Sequence, residues 1–132
     1  MPILGSPTTS VVTVGVTATS STYTPTLTNV ANVAASTAYE CQYLRVGSMV
    51  HVTGKVDVDP TTTATLTQVG ISLPVASNLG AAEDLAGVGW FPGIGQGAAL
   101  LGDATNNRAE LNYICGDVTN QSAYFSFSYA VI

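Results

Sequence analysis

From Tyr23 onward, apolar and polar residues alternate in short runs rich in Val, Ile, Thr, Tyr and Phe. Turn residues break these runs at roughly the 8–12-residue spacing of sandwiches and barrels. The pattern predicts strands near 24–31, 38–46, 49–58, 64–73, 86–91, 97–102, 109–115 and 122–131, and no segment carries a convincing helical period. About eight short strands in residues 23–132 predict an all-β domain, a two-sheet antiparallel sandwich and most simply a jelly roll. Residues 1–22 have no charged side chain, and Val11, Val12, Val14 and Val16 form their only apolar patch. Disorder goes with high charge and low hydrophobicity, so an uncharged Val/Thr segment predicts an extended arm that adds a strand to a neighbour or lies along one. A frayed terminus is the open alternative.

The best-determined piece is the hairpin at Gly47-Ser48, because Gly first in a two-residue loop suits a type II′ turn whose twist matches its strands. With Val46 opposite Met49, the register pairs Arg45 with Val50, Leu44 with His51, Tyr43 with Val52, Gln42 with Thr53, Cys41 with Gly54 and Glu40 with Lys55. Opposed residues share a face. Tyr39, Cys41, Tyr43, Val50, Val52, Gly54, Val56 and Val58 then face the core, while Glu40, Gln42, Leu44, His51, Thr53, Lys55 and Asp57 face out. The outer face gathers Leu44, Val46, Met49 and His51 at the hairpin tip, either as a subunit contact or as scattered surface apolar groups. The last strand alternates too, with Phe125, Phe127, Tyr129 and Val131 on the core side.

Composition sharpens this picture. Only 8% of residues are charged, against roughly 25% in an ordinary soluble domain, while 46% are hydrophobic. Thr, Ser, Asn, Gly and Ala must therefore cover most of the exterior, which suits packing against other protein. A net charge of −5 with Arg45, Lys55 and Arg108 scattered argues against nucleic acid. No apolar run reaches membrane-helix length, and Met1-Pro2-Ile3-Leu4-Gly5 lacks the basic start of a signal peptide, so the expectation is cytoplasmic synthesis and no membrane partner. In that setting Cys41 and Cys115 are expected to be buried free thiols.

Few residues are spaced for reaction chemistry. The sole histidine, His51, projects away from both inward-facing cysteines, so no nucleophilic triad forms from them. Cys41, His51 and Cys115 lack zinc-ligand spacing. Asp57 and Asp59 share a strand face and Glu83-Asp84 sits in a loop, which admits a loosely held calcium ion, although solvated turn-flanking carboxylates are the plainer reading. The stretch Gly87–Gly97 looks like a phosphate loop but has neither the helix nor the lysine. Its Trp90 and Phe91 are expected to supply apolar area to the core or to a subunit contact, with carbohydrate stacking on Trp90 as the alternative. Neither a cofactor nor catalysis is expected.

The phrases Tyr23-Thr24-Pro25-Thr26-Leu27, Ala38-Tyr39-Glu40, Arg45-Val46-Gly47, Val52-Thr53-Gly54-Lys55-Val56-Asp57-Val58, Gly70-Ile71-Ser72-Leu73-Pro74 and Arg108-Ala109-Glu110-Leu111 follow one another in order. Together they resemble a small β-domain of tailed-bacteriophage structural proteins, a likeness that covers most of residues 23–132. The resemblance implies a virion surface component, usually a homotrimer, serving as a capsid decoration (cement) protein or as the knob of a fibre. A chain opening at Met1 with only a short arm favours the decoration protein, bound to the major capsid protein on the capsid surface. Val11, Val12, Val14 and Val16 are then the expected capsid or neighbour contacts, and Leu44, Val46, Met49, His51, Trp90 and Phe91 the expected subunit interface. The alternative is a receptor- or glycan-binding knob that uses Trp90 and the loop Asp103-Ala104-Thr105-Asn106-Asn107-Arg108.

Overall fold

The computed structural model describes residue 15 and residues 17–132. The arm valines Val11, Val12, Val14 and Val16 lie outside the described residues. Among the described residues ten strands follow one another: β1 (Ala18–Tyr23), β2 (Leu27–Ala31), β3 (Val33–Ala38), β4 (Cys41–Val46), β5 (Met49–Pro60), β6 (Leu66–Ile71), β7 (Leu85–Phe91), β8 (Gln96–Asp103), β9 (Arg108–Ile114) and β10 (Gln121–Ala130). The described helical structure is one 3-10 turn at Ala82–Asp84, where Asp84 Oδ2 accepts the backbone N–H groups of Gly80 and Ala81. The fold is therefore all-β and antiparallel, as the alternation predicts.

All ten strands belong to one hydrogen-bonded sheet, ordered β1-β4-β5-β10-β7-β8-β9-β6-β2, with β3 paired to β5. The two sheets expected from the alternation form one continuous sheet instead, because the twelve-residue β5 carries β4 along one half of an edge, β3 along the other half, and β10 on its opposite edge. The sheet curls: β2 ends the path, β3 lies near its other end, and Asn32 is the single residue between them.

Asn32 takes a left-handed backbone (φ 56), a conformation its short amide tolerates better than most side chains. Its Nδ2 donates to the Thr62 carbonyl and to Thr67 Oγ1, both at 2.8 Å. Its Oδ1 accepts from Thr61 Oγ1 at 2.5 Å and from the Thr62 N–H at 2.9 Å. One side chain thus ties the corner to the β5–β6 connection and satisfies the fully buried Thr67.

The predicted hairpin register is the observed one from Val46↔Met49 through Gln42↔Thr53, with Gly47 at φ 58. Beyond it the chain departs from expectation. Ala38 pairs with Val56, so the five residues from Ala38 to Gln42 oppose only the four from Thr53 to Val56. The extra residue falls at Tyr39-Glu40 and, because side chains alternate, rotates Tyr39 to the outer face. Tyr39 is exposed rather than in the core, and Lys55 lies over its ring instead of pairing with Glu40.

Two further strands escaped the pattern. Ala18–Thr22, the end of the expected arm, forms most of β1 and pairs with β4 of its own chain. β3 is Val-Ala-Ala-Ser-Thr-Ala, whose small residues carry no alternation signal.

The core is the concave side. It holds Val50, Val52, Val56 and Val58 of β5, Val69 and Ile71 of β6, Leu100, Leu111, and the ladder Phe125, Phe127 and Tyr129, whose neighbouring rings stand 5.9 and 6.1 Å apart. Each such side chain contributes about 1.5–3 kcal/mol on burial. Cys41 and Cys115 are both free and buried. Gly54 faces Cys41, whose Sγ fills the space a Cβ would need. The look-alike phosphate loop is the β7–β8 hairpin, turned by Pro92-Gly93-Ile94-Gly95 with Gly95 at φ 62.

Candidate functional site

Pairing register carries outward-facing residues across the convex side of the sheet in rows, neighbouring strands lying about 4.8 Å apart. One row runs His51, Ser128, Ala86 and Leu101; the next runs Thr53, Ser126, Val88, Ala99 and Asn112; a third runs Lys55, Tyr124, Trp90 and Gly97. Val88 is 68% exposed, and Trp90 and Tyr124 are each 51% exposed. Ile114 and Leu66, paired with each other on β9 and β6, expose more apolar surface. This face is charge-poor, as the composition required.

Leu44, Val46, Met49 and His51 meet at the hairpin tip, all exposed. A shallow depression of about 430 Å³ lies beside them, lined by Ser20, Ser21, Thr22, Gln42, Tyr43, Leu44, His51 and Thr53. Its position follows from β1 lying against β4. Trp90 stands apart: it shares a row with Lys55, six residues along β5 from Met49 and so roughly 20 Å away. Phe91 points the opposite way. It is fully buried against Tyr113, with ring centroids 4.4 Å apart, and offers a neighbour nothing. Alternation along β7 explains the split, since consecutive residues of a strand face opposite sides.

One contact was missed by sequence reasoning: His51 Nδ1 and Ser128 Oγ share a hydrogen bond of 2.7 Å. Only the β5–β10 register, pairing Ser128 with His51, reveals it. A hydroxyl beside an imidazole is half of a nucleophilic constellation, which also wants a group orienting the base and a water-excluding cleft. The outer-face neighbours here are Leu44, Gln42, Thr53, Ser126 and Ala86, on an open sheet, and none is an acid. The pair is an exposed polar contact on the sheet face.

Two of the carboxylates, Asp57 and Asp103, are held by local partners. Asp57 accepts the Tyr39 hydroxyl at 2.8 Å on Oδ2 and the Ser122 hydroxyl at 2.6 Å on Oδ1. Partial burial pushes its carboxyl up, but these hydrogen bonds and the Lys55 charge outweigh that and hold it below the usual range. Asp103 accepts the N–H groups of Thr105 and Asn106 at 3.1 Å, the Asn106 amide at 2.8 Å, and Arg108 Nε at 2.9 Å. Asn106, one of the two amides expected to meet a sugar, is spent within the loop. The loop also begins six residues beyond Gly97, roughly 20 Å from Trp90 along β8, so the two do not form one site. No three His, Cys, Asp or Glu side chains converge among the described residues.

The convex face offers an apolar patch at the hairpin tip and, about 20 Å away, an aromatic strip with one ammonium and one carboxylate. No family model, curated protein or solved structure matches the chain.

Proposed function

We propose that this chain is a non-enzymatic virion structural protein, a homotrimeric capsid decoration protein that binds the outer surface of the major capsid protein and stabilises the shell. The observation that carries the reading is the hairpin tip, where Leu44, Val46 and Met49 stand exposed side by side on an almost uncharged sheet face. Removing such groups from water is worth roughly 25 cal/mol per Å², and few charges oppose close approach. The resemblance of the ordered sequence phrases to phage structural domains supports the same reading. In this reading the curled sheet acts as a jelly-roll-like sandwich, its two arcs stacked across the core. The hairpin tips meet around the threefold axis, and β1, with Val11, Val12, Val14 and Val16 ahead of it, turns toward the capsid. Three copies then add weak contacts by multivalency.

Sedimentation of the purified chain tests the assembly step. A trimer that becomes a monomer in Leu44→Ser/Met49→Ser supports the reading; a monomer at all concentrations overturns it. Capsid binding is tested by co-sedimentation of the chain with undecorated particles. Deleting residues 1–14, which leaves β1 whole, is expected to abolish that binding while the domain stays folded.

A further inference from the structure

The third row of the convex face differs in kind from the hairpin tip. Trp90, Tyr124 and Lys55 stand on three adjacent strands, directly opposed in turn, and Tyr39 follows on the far side of β5. The Lys55 ammonium lies 4.2 Å from the Tyr39 ring centroid and 5.9 Å from that of Tyr124. Among the described residues the one ion pair is Arg108 with Asp103, so Lys55 is held by aromatic faces rather than by a carboxylate within 4.0 Å. Beside it Asp57 is fixed by Tyr39 and Ser122, one hydrogen bond on each oxygen. A carboxylate has about four acceptor positions, so each oxygen retains capacity.

We propose that this strip, Tyr39, Lys55, Tyr124 and Trp90 with Asp57 at its edge, is a binding site for the pyranose chain of a glycan. A sugar ring has a C–H face that packs on an aromatic ring and hydroxyls around its rim that both donate and accept. Trp90 and Tyr124 supply two such faces side by side, and a Cβ added at neighbouring Gly97 would touch only the Gly89 carbonyl and the Trp90 ring, each at 3.9 Å, leaving the surface beside the indole open. Lys55, in line with the rings, supplies a donor group, and Asp57, one row further along β5, supplies an acceptor group. An apolar protein anchor laid on this strip would strip water from both charges without replacing it, whereas sugar hydroxyls satisfy both. The depressions around β1 and the hairpin lie elsewhere, and the strip runs across neighbouring strands on the sheet's outer face. The site is independent of the assembly reading.

The test is binding of the full chain to a printed array of microbial and animal glycans carrying neutral, amino and uronic pyranoses, followed by titration of the bound glycan. Trp90 is the sole tryptophan, and its fluorescence reports occupancy directly. Trp90→Ala and Tyr124→Ala, both at exposed positions, are each expected to weaken binding about tenfold, the size of an aromatic contact. Val30→Ser, an exposed position on the distant β2, is expected to leave affinity unchanged, and Trp90→Ala to leave the sedimentation coefficient unchanged. Absence of binding to every glycan, or affinity untouched by both aromatic variants, overturns the proposal. A change of oligomeric state in Trp90→Ala also overturns it and makes the strip a protein contact.

Discussion

Replacing Asn32 by alanine removes four side-chain hydrogen bonds and places a Cβ-bearing residue without a local amide in a left-handed conformation. Three of those bonds lie at the surface, where water replaces the lost partner, so each is worth about 0.5 kcal/mol, the low end for a net hydrogen bond. The bond to buried Thr67 is worth about 1–1.5 kcal/mol, because its hydroxyl then keeps only the Thr65 carbonyl at 3.0 Å. Left-handed strain adds about 1–2 kcal/mol. Asn32→Ala is therefore expected to cost about 3.5–5 kcal/mol, a large share of the total for a domain of this size. Asn32→Gly loses the same bonds without the strain and should cost about 2.5–3 kcal/mol, apart from the entropy of glycine in the unfolded chain. Urea denaturation followed by circular dichroism measures both. If either variant lies within 1 kcal/mol of the parent, or glycine costs more than alanine, the corner at Asn32 does not close the curl as argued.

Other outcomes follow from single contacts. Gly87→Ala drives a Cβ into the Ser126 carbonyl oxygen and to 2.6 Å from Phe127 Cβ, and is expected to cost about 3 kcal/mol or more in the same denaturation assay. Asp103 is held below the ordinary carboxyl range: burial raises it, but the Asn106 hydrogen bonds and Arg108 outweigh that. The unfolded carboxyl protonates near pH ~4 and the folded one lower, so this stabilisation is full above ~4 and is lost as pH falls through the folded value. Asp103→Asn should flatten that acid limb, and an unchanged limb would contradict the assignment. At the alkaline end, burial raises Tyr23 and Tyr113, and raises Tyr129 to about 12. Stability should therefore fall as pH rises past ~10, and absorbance titration should show these three ionising only above it; six tyrosines titrating together near ~10 in a folded protein would refute this.

The sequence carried the hairpin register because Gly47 fixes a turn type and a turn type fixes every pair behind it. It carried the core face of β10 because Phe125, Phe127 and Tyr129 alternate with Ser and Tyr. Tyr39 was misplaced because one extra residue in a strand changes no residue type and yet reverses a side chain. Gly54, interior to a strand and opposite that region, was the available warning of close approach. The aromatic strip was invisible for a related reason: Tyr39, Lys55, Tyr124 and Trp90 come from segments far apart in the chain, and only long-range register aligns them. Trp90 was rightly singled out, but its partners in sequence, Phe91 and the Asp103 loop, are not its partners in space.

The most direct test of the proposed function is cryo-electron microscopy of the intact particle that carries this protein. The account predicts density for the β-domain at threefold positions on the outer capsid shell, with hairpin tips converging on the axis. Density confined to the tail or to fibre tips, or a particle from which the protein is absent, would contradict it.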